Sequence, residues 1–176
     1  RYLIDPKFTG QDPGPFRIIA MPISESTPPA DPLASLPRHI SLSPTLHVSG
    51  QPTADQLALL PAAGIRSVID LRPDAERPDL DERMVAVHLG LGYHPLPISG
   101  AQDLTRANVE AFDELLKRNE GEGVLMHCAS GNRVGAMMAL RARWVQGKSA
   151  QESLEIGRAS GLIGLAPDVE RLVSAP

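Results

Sequence analysis

The sequence predicts an α/β domain, with a central, mainly parallel sheet flanked by helices, and three observations carry that expectation. From Leu46 onward, short apolar runs alternate with helical stretches and are separated by Gly, Pro or Asp, the rhythm of βα units. Gly123-Val-Leu-Met-His127 is a short, continuous apolar run, as a parallel strand buried on both faces requires. The stretch after it, Arg133 to Gln146, is charged only at Arg133, Arg141 and Arg143. Its Gly135, Ala136, Ala139 and Ala142 allow close approach to a sheet.

Each element follows from local chemistry. Leu46 to Val48 reads as a short strand. Thr53-Ala-Asp-Gln56 is a capping box that opens a helix carrying Leu57, Leu60 and Ala63, which Pro61 should kink or end. Ser67 to Leu71 reads as a second strand and Asp79 to Leu89 as a helix. Tyr93 to Ile98 reads as a third strand, whose Pro95 and Pro97 suit an edge. Thr105 can cap a helix through Arg118 with Val109, Phe112, Leu115 and Leu116 on one face. Ser149-Ala-Gln-Glu152 is another capping box, for a helix ending at Gly161, and Pro167 suits the first turn of a last helix.

More than half of the 17 prolines precede residue 45, so residues 1–45 read as a Pro-rich arm without regular structure, ahead of one domain over 46–176. The arm is either a solvated linker or an irregular strap in which Phe8, Phe16, Ile18, Ile19 and Ile23 pack across the domain. With 176 residues, 42% of them hydrophobic and 22% charged, the chain suits one soluble globular unit. A net charge of -4 argues against a nucleic-acid footprint but leaves room for a local anion site. No apolar run is long enough to span a bilayer, so neither a membrane nor a nucleic acid is expected as a partner. Residue 1 is Arg, which reads as a processed or trimmed product and leaves a removed export signal open. Cys128 is the only cysteine, which excludes an intramolecular disulfide and a Cys-cluster metal site.

The chemistry concentrates in Val124-Leu-Met-His-Cys-Ala-Ser-Gly-Asn-Arg-Val-Gly135. A buried strand ending at Cys128, a loop of small residues and a helix opening at Arg133 let the backbone N–H groups of residues 129–133 converge on an anion at a helix N-terminus. The same field favours a Cys128 thiolate. Arg133 offers a planar fork for two oxygens, and Gly131 permits the positive φ of a tight turn. His39, His47, His88 and His94 lack metal-ligand spacing, Asp70 and Arg72 read as a structural pair, and Trp144, Met137 and Met138 as core filling. Arg77 and Arg106 are placed near the mouth of the site, where they either attract phosphate groups or belong to a solvated face.

His127-Cys128-Ala-Ser-Gly-Asn-Arg133 resembles the phosphate-binding signature of cysteine-dependent protein tyrosine and dual-specificity phosphatases. Ser49-Gly-Gln-Pro52 and Ala63 to Pro73 resemble the short bacterial branch related to the phosphatase-like part of β-lactamase-like hydrolase fusions, and the likeness spans roughly residues 40–160. It implies a dual-specificity phosphatase-like fold and metal-independent, cofactor-free hydrolysis of a phosphorylated protein or small molecule, in a bacterial periplasm or cytoplasm. By the same resemblance Cys128 is the nucleophile, Arg133 clamps the equatorial oxygens, Asp103 is the general acid, and His127, Ala129, Ser130, Gly131 and Asn132 hold the substrate phosphate. Two features depart from the common pattern. The loop holds four residues rather than five between Cys128 and Arg133, the spacing also found in rhodanese-type sulfurtransferases. Val134 replaces the hydroxyl residue that normally follows the arginine. A sulfurtransferase using a Cys128 persulfide and a non-catalytic phosphate-binding module therefore stand as alternatives.

Overall fold

The computed structural model describes residues 31–77 and 81–175. Five strands form one sheet: β1 (Ile40–Ser43), β2 (Leu46–Ser49), β3 (Ile65–Asp70), β4 (Gly92–Pro95) and β5 (Gly123–His127), in the spatial order β1-β2-β5-β3-β4. Only the β1–β2 pairing is antiparallel; β5 runs parallel to both β2 and β3, and β3 parallel to β4. The five residues of β5 are all buried, which its continuous apolar sequence demands at the centre of a sheet covered on both faces. Alternation along the strand then divides its side chains. Val124 and Met126 enter one core with Val48 and Ile69, and Leu125 enters the other with Val68.

Among the described residues six helices cover the sheet: α1 (Ala54–Leu59), α2 (Glu82–His88), α3 (Arg106–Arg118), α4 (Asn132–Trp144), α5 (Ala150–Ala159) and α6 (Ala166–Ser174). The larger core joins the sheet to α3, α4, α5 and α6 and is mainly aliphatic, with Phe112 its one fully buried aromatic side chain. The smaller core seats α1 and α2 with Leu33 and Leu36. α4 is the most enclosed helix, with Val134 through Leu140 buried without a break. Its small residues let α5 approach. A Cβ on Gly157 of α5 would lie 2.7 Å from the Ala139 Cβ, nearer than atoms tolerate.

Most elements match their sequence signals. Thr53 and Ser149 make the two expected capping boxes, Thr105 caps α3, and Pro167 lies in the first turn of α6. Pro97 falls outside β4, which is an edge strand ending at Pro95. One expectation fails. The proline-rich stretch before residue 45 contains β1, because Ile40–Ser43 is itself free of proline and pairs as an edge strand on which few backbone donors are needed. The proposed strap residues Phe8, Phe16, Ile18, Ile19 and Ile23 lie outside the described residues, as does Asp79, where the sequence starts α2. Asp81 makes the cap of that helix, its side chain accepting from the Met84 N–H.

Candidate active site

Three parallel strands end in register. Ser49, His127 and Asp70 are neighbours across β2, β5 and β3, at the C-terminal edge where open α/β sheets hold ligands. β5 therefore delivers His127 and Cys128 to that edge. Beyond the fully buried Cys128 the chain turns through Ala129, Ser130 and Gly131 and enters α4 at Asn132. Gly131 has φ 86°, a left-handed conformation that makes the turn tight and that a side chain would strain.

The loop is arranged to offer donors. The Gly131 N–H points at Cys128 Sγ, 3.1 Å away. The Ala129 carbonyl accepts from the Gln51 N–H at 3.2 Å, so the next peptide N–H, on Ser130, is turned away from Gln51, as an anion cradle requires. Gly131 is the N-cap of α4 and supplies no side-chain cap, and among the described residues no side chain accepts from the first-turn amides of Asn132 and Arg133. The Asn132 side chain turns elsewhere. Its Oδ1 accepts from the Ile163 and Leu165 N–H groups at 2.8 and 3.2 Å and pins the loop between α5 and α6 beside the cradle.

Arg133 is anchored by a carboxylate and a carbonyl. Glu76, in the short 3-10 turn Asp74–Glu76, accepts from Nη1 and Nη2 at 3.0 and 2.6 Å, and the Ile98 carbonyl takes the other Nη1 donor at 2.9 Å. Of the five guanidinium N–H donors, Nε–H and the second on Nη2 have no oxygen acceptor among the described residues; these two form one edge, the geometry that meets two oxygens of a tetrahedral anion, and the guanidinium also lies within hydrogen-bonding reach of Cys128. Burial disfavours the charged guanidinium, but Glu76 and Cys128 together outweigh it and hold the Arg133 pKa above its ordinary value.

Behind the cradle lies a buried ionic network. His127 Nε2 bonds Glu82 Oε1 at 2.7 Å, and its Nδ1 lies 3.4 Å from the Cys128 carbonyl oxygen. Arg72 bonds both Asp70 oxygens, at 3.0 and 2.9 Å, and also Glu82; the side chains of Arg72, Asp70, Glu82 and His127 are fully buried. Tyr93 donates its hydroxyl to Asp70 at 2.8 Å, and burial together with that carboxylate pushes the phenol upward. Burial also works against the Asp70 carboxylate, but the Arg72 fork prevails and lowers its pKa. Asp70, Glu82 and His127 bring ligand atoms within 4.8 Å of one another, and the Arg72 guanidinium already serves as the cation for both carboxylates.

Asp103 ends the 3-10 turn Ala101–Asp103 and accepts from the Ser99 N–H at 2.7 Å. Ser99 follows Ile98, whose carbonyl holds Arg133, so the Asp103 loop is anchored to the clamp. Asp70 and Arg72 form the structural pair their sequence spacing suggests. Two placements go against the phosphate-mouth alternative. Arg77 turns inward to the Arg72 carbonyl and to Asp70 and Asp74, and Arg106 stacks 5.2 Å from the ring centre of Trp144, at the opposite end of α4 from Arg133. Both are bound by local partners rather than by a phosphate mouth. Sequence reasoning missed Glu76 and Glu82, which reach Arg133 and His127 across 57 and 45 residues, distances that no local spacing encodes.

Residues 40–164 match the family model described as DSP-PTPase phosphatase fused to NAD+ kinase. The chain belongs to the DSP-PTPase phosphatase family. A β-lactamase hydrolase-like protein of Xylella fastidiosa is 34% identical over 129 residues, covering 70% of this chain and 29% of that protein. The dual specificity protein phosphatase TpbA of Pseudomonas aeruginosa is 36% identical over 116 residues, covering 65% of this chain and 50% of TpbA. The chain thus spans half or less of the length of these curated relatives. A crystal structure of TpbA in complex with phosphotyrosine superposes with a TM-score of 0.61 at 26% identity, over 78% of this chain and 83% of that one. The mainly parallel five-stranded sheet flanked by helices is thus the fold of this family. Among the described residues no helix is long and apolar enough to cross a membrane.

Proposed function

We propose that this domain hydrolyses phosphomonoesters through a cysteinyl-phosphate intermediate on Cys128. The observation that carries the reading is the Gly131 N–H at 3.1 Å from Cys128 Sγ, at an N-terminus of α4 with no side-chain cap and with one edge of Arg133 open beside it. A bound phosphate is favoured by those donors. The Cys128 thiolate attacks phosphorus, the bond to the leaving oxygen breaks, and the Asp103 carboxyl gives that oxygen its proton. The Asp103 carboxylate then takes a proton from water as the water oxygen attacks phosphorus, the S–P bond breaks, and the thiolate and inorganic phosphate are released. Arg133 and the loop amides hold the equatorial oxygens in both steps. His127, fixed by Glu82, supports the Cys128 backbone from below. None of these steps calls for a metal.

The test is hydrolysis of p-nitrophenyl phosphate in the presence of chelator, with iodoacetate alkylation of the thiol measured in parallel. Wild type should turn over and be protected from alkylation by vanadate or phosphate, and Cys128→Ser should lose all turnover. Thiosulfate-to-cyanide sulfur transfer with no phosphate release from any ester would transfer the assignment to the sulfurtransferase reading. One observation favours a phosphate-binding module as the second reading: Val134 is fully buried and brings no hydroxyl to stabilise the departing thiolate. In that case phosphate protects Cys128 while no p-nitrophenol is released; a burst equal to the enzyme concentration would instead mark a phosphatase limited by slow breakdown of its cysteinyl phosphate.

A further inference from the structure

The first turn of α3 is used differently from those of α1 and α5. In α1 and α5 the third helical residue, Gln56 or Glu152, reaches back and accepts from the N–H of its own N-cap residue at 2.9 Å. The third residue of α3 is Asn108, and its side chain passes the cap by. Its Nδ2 donates to the Asp103 carbonyl at 2.7 Å. The Thr105 N–H, which a capping box would satisfy within the helix, donates to that same carbonyl at 2.8 Å. Both lone pairs of the Asp103 carbonyl are thus engaged. The Asp103 backbone is thereby fastened to the start of a helix whose Val109 and Phe112 are fully buried in the larger core.

The carboxyl end of Asp103 is tied to the clamp. The peptide between Ile98 and Ser99 accepts from Arg133 through its carbonyl at 2.9 Å and donates to Asp103 Oδ2 through its N–H at 2.7 Å. In a trans peptide these two groups point in opposite directions, so a single planar unit lies between guanidinium and carboxyl. A cation on the carbonyl side strengthens the donor on the other. Ile98 is fully buried, and its N–H donates to the carbonyl of Leu71, the residue after β3, at 3.0 Å. One oxygen of Asp103 is therefore occupied, while among the described residues Oδ1 accepts no hydrogen bond.

We infer that Asn108 is a positioning residue for the general acid. Its hydrogen bond to the Asp103 carbonyl fixes the turn so that Oδ2 stays on the Ser99 N–H and Oδ1 carries the proton given to the leaving oxygen. The same Oδ1 takes the proton of the attacking water in the second step. The inference rests on the phosphatase reading and on Asp103 as its acid, and Asn108 acts only through Asp103. A purely local role in the helix is separable from this one. Alanine and leucine are better helix formers than asparagine, neither can donate, and the Thr105 cap bonds the residue 108 N–H, which both keep. Asn108→Ala and Asn108→Leu should therefore stay within a few degrees of the wild-type Tm.

The experiment measures kcat/KM for an alkyl phosphate and for p-nitrophenyl phosphate, with thermal unfolding alongside. It compares wild type, Asn108→Ala, Asn108→Leu, Asp103→Asn and the Asp103→Asn/Asn108→Ala double variant. Since kcat/KM runs only to departure of the leaving group, slow breakdown of the cysteinyl phosphate does not mask the effect. Both Asn108 variants should lose about 10-fold on the alkyl phosphate, the scale of one hydrogen bond, and about 2-fold or less on p-nitrophenyl phosphate, whose leaving oxygen needs a proton less. In the Asp103→Asn background the Asn108→Ala loss on the alkyl phosphate should largely vanish, because the acid it positions is gone. Equal fractional losses on both substrates, or an Asn108 effect undiminished in Asp103→Asn, assign Asn108 to the scaffold and overturn the inference. A leaving-group-dependent loss in Asp103→Asn that neither Asn108 variant shares refutes the inference alone. If Asp103→Asn loses equally on both substrates, or neither substrate is hydrolysed, the acid assignment falls and the inference falls with it.

Discussion

The N-termini of α4 and α5 are built from opposite choices. α5 opens on Ser149, whose side chain accepts from the Glu152 N–H while the Glu152 carboxylate accepts from the Ser149 N–H, so the helix closes its own donors. α4 opens on Gly131, with no side chain to cap it, three residues after Cys128, whose sulfur accepts from the Gly131 N–H. A helix that only packs satisfies its first turn internally, and one that leaves it open at a sheet's C-terminal edge has a place for an external acceptor. The network beneath α4 sharpens the contrast: Asp70, Arg72, Glu82 and His127 bond one another and keep the floor rigid under the open donors.

The largest effect should come from removing the clamp. Arg133→Ala deletes the open edge and leaves Glu76 without its partner. Transition-state stabilisation should fall by about 10²- to 10³-fold, as when an oxyanion donor is lost. The measurement is kcat/KM for p-nitrophenyl phosphate, with phosphate protection of Cys128 from iodoacetate as the binding readout. Both should collapse together. Retained protection with lost turnover would mean that the amides alone bind the anion and that Arg133 acts only in the transition state.

Breaking the floor should cost stability. Asp70→Asn leaves Arg72 buried with half its partners, and losing one member of a buried pair costs about 3 to 5 kcal/mol. The pH dependence follows from the lowered Asp70 pKa. A carboxylate whose folded pKa lies below its unfolded value adds stability above the unfolded value, near 3.8, and that stability is lost as pH falls through the folded one. Denaturant midpoints of the wild type should therefore drop on acidification below about pH 4, near the unfolded carboxylate value, and Asp70→Asn should flatten that limb. A variant with the full acid limb would place the titrating group elsewhere, with Asp113, also lowered and bonded to Lys117 and Arg141, next in line.

How much of this was legible in the sequence follows from the range of each interaction. Caps, the apolar run of β5 and the loop from Cys128 to Arg133 are written within a few residues of one another, so they can be read locally. β1 was missed because the nearby prolines mask a four-residue strand whose partner, β2, makes it a strand. Glu76 and Glu82 were missed because a carboxylate in a helical turn looks solvated until the fold brings an arginine or histidine to it. For Arg77 and Arg106 the phosphate-mouth alternative fails for the converse reason: Arg77 bonds the buried Asp70, and Arg106, exposed as a solvated face requires, lies over Trp144.

The role of Asp103 is tested by varying the leaving group. A proton donor matters most when the departing oxygen is a strong base, so Asp103→Asn should slow an alkyl phosphate by about 10²-fold or more and p-nitrophenyl phosphate far less. Equal losses on both substrates would assign the proton transfer to another group, with the exposed Asp74 the next to substitute.

The smallest effect tests the contrast between the two helix ends directly. Ser149→Ala removes the cap of α5 and should lower stability by about 1 kcal/mol, a few degrees in Tm for a domain of this size. Inorganic phosphate should raise the Tm of wild type and of Ser149→Ala by the same amount, because the ligand fills α4 and does nothing for α5. The two ends share no partners and are separated by the length of α4, about 20 Å at 1.5 Å per residue, so the effects should add. Thermal unfolding of wild type, Ser149→Ala, Arg133→Ala and the double variant, each with and without phosphate, completes the cycle. Arg133→Ala should abolish most of the phosphate shift in either background. If phosphate instead recovers the stability lost in Ser149→Ala, anions bind uncapped helix ends of this protein without preference, and the open N-terminus of α4 is no longer evidence for a dedicated site.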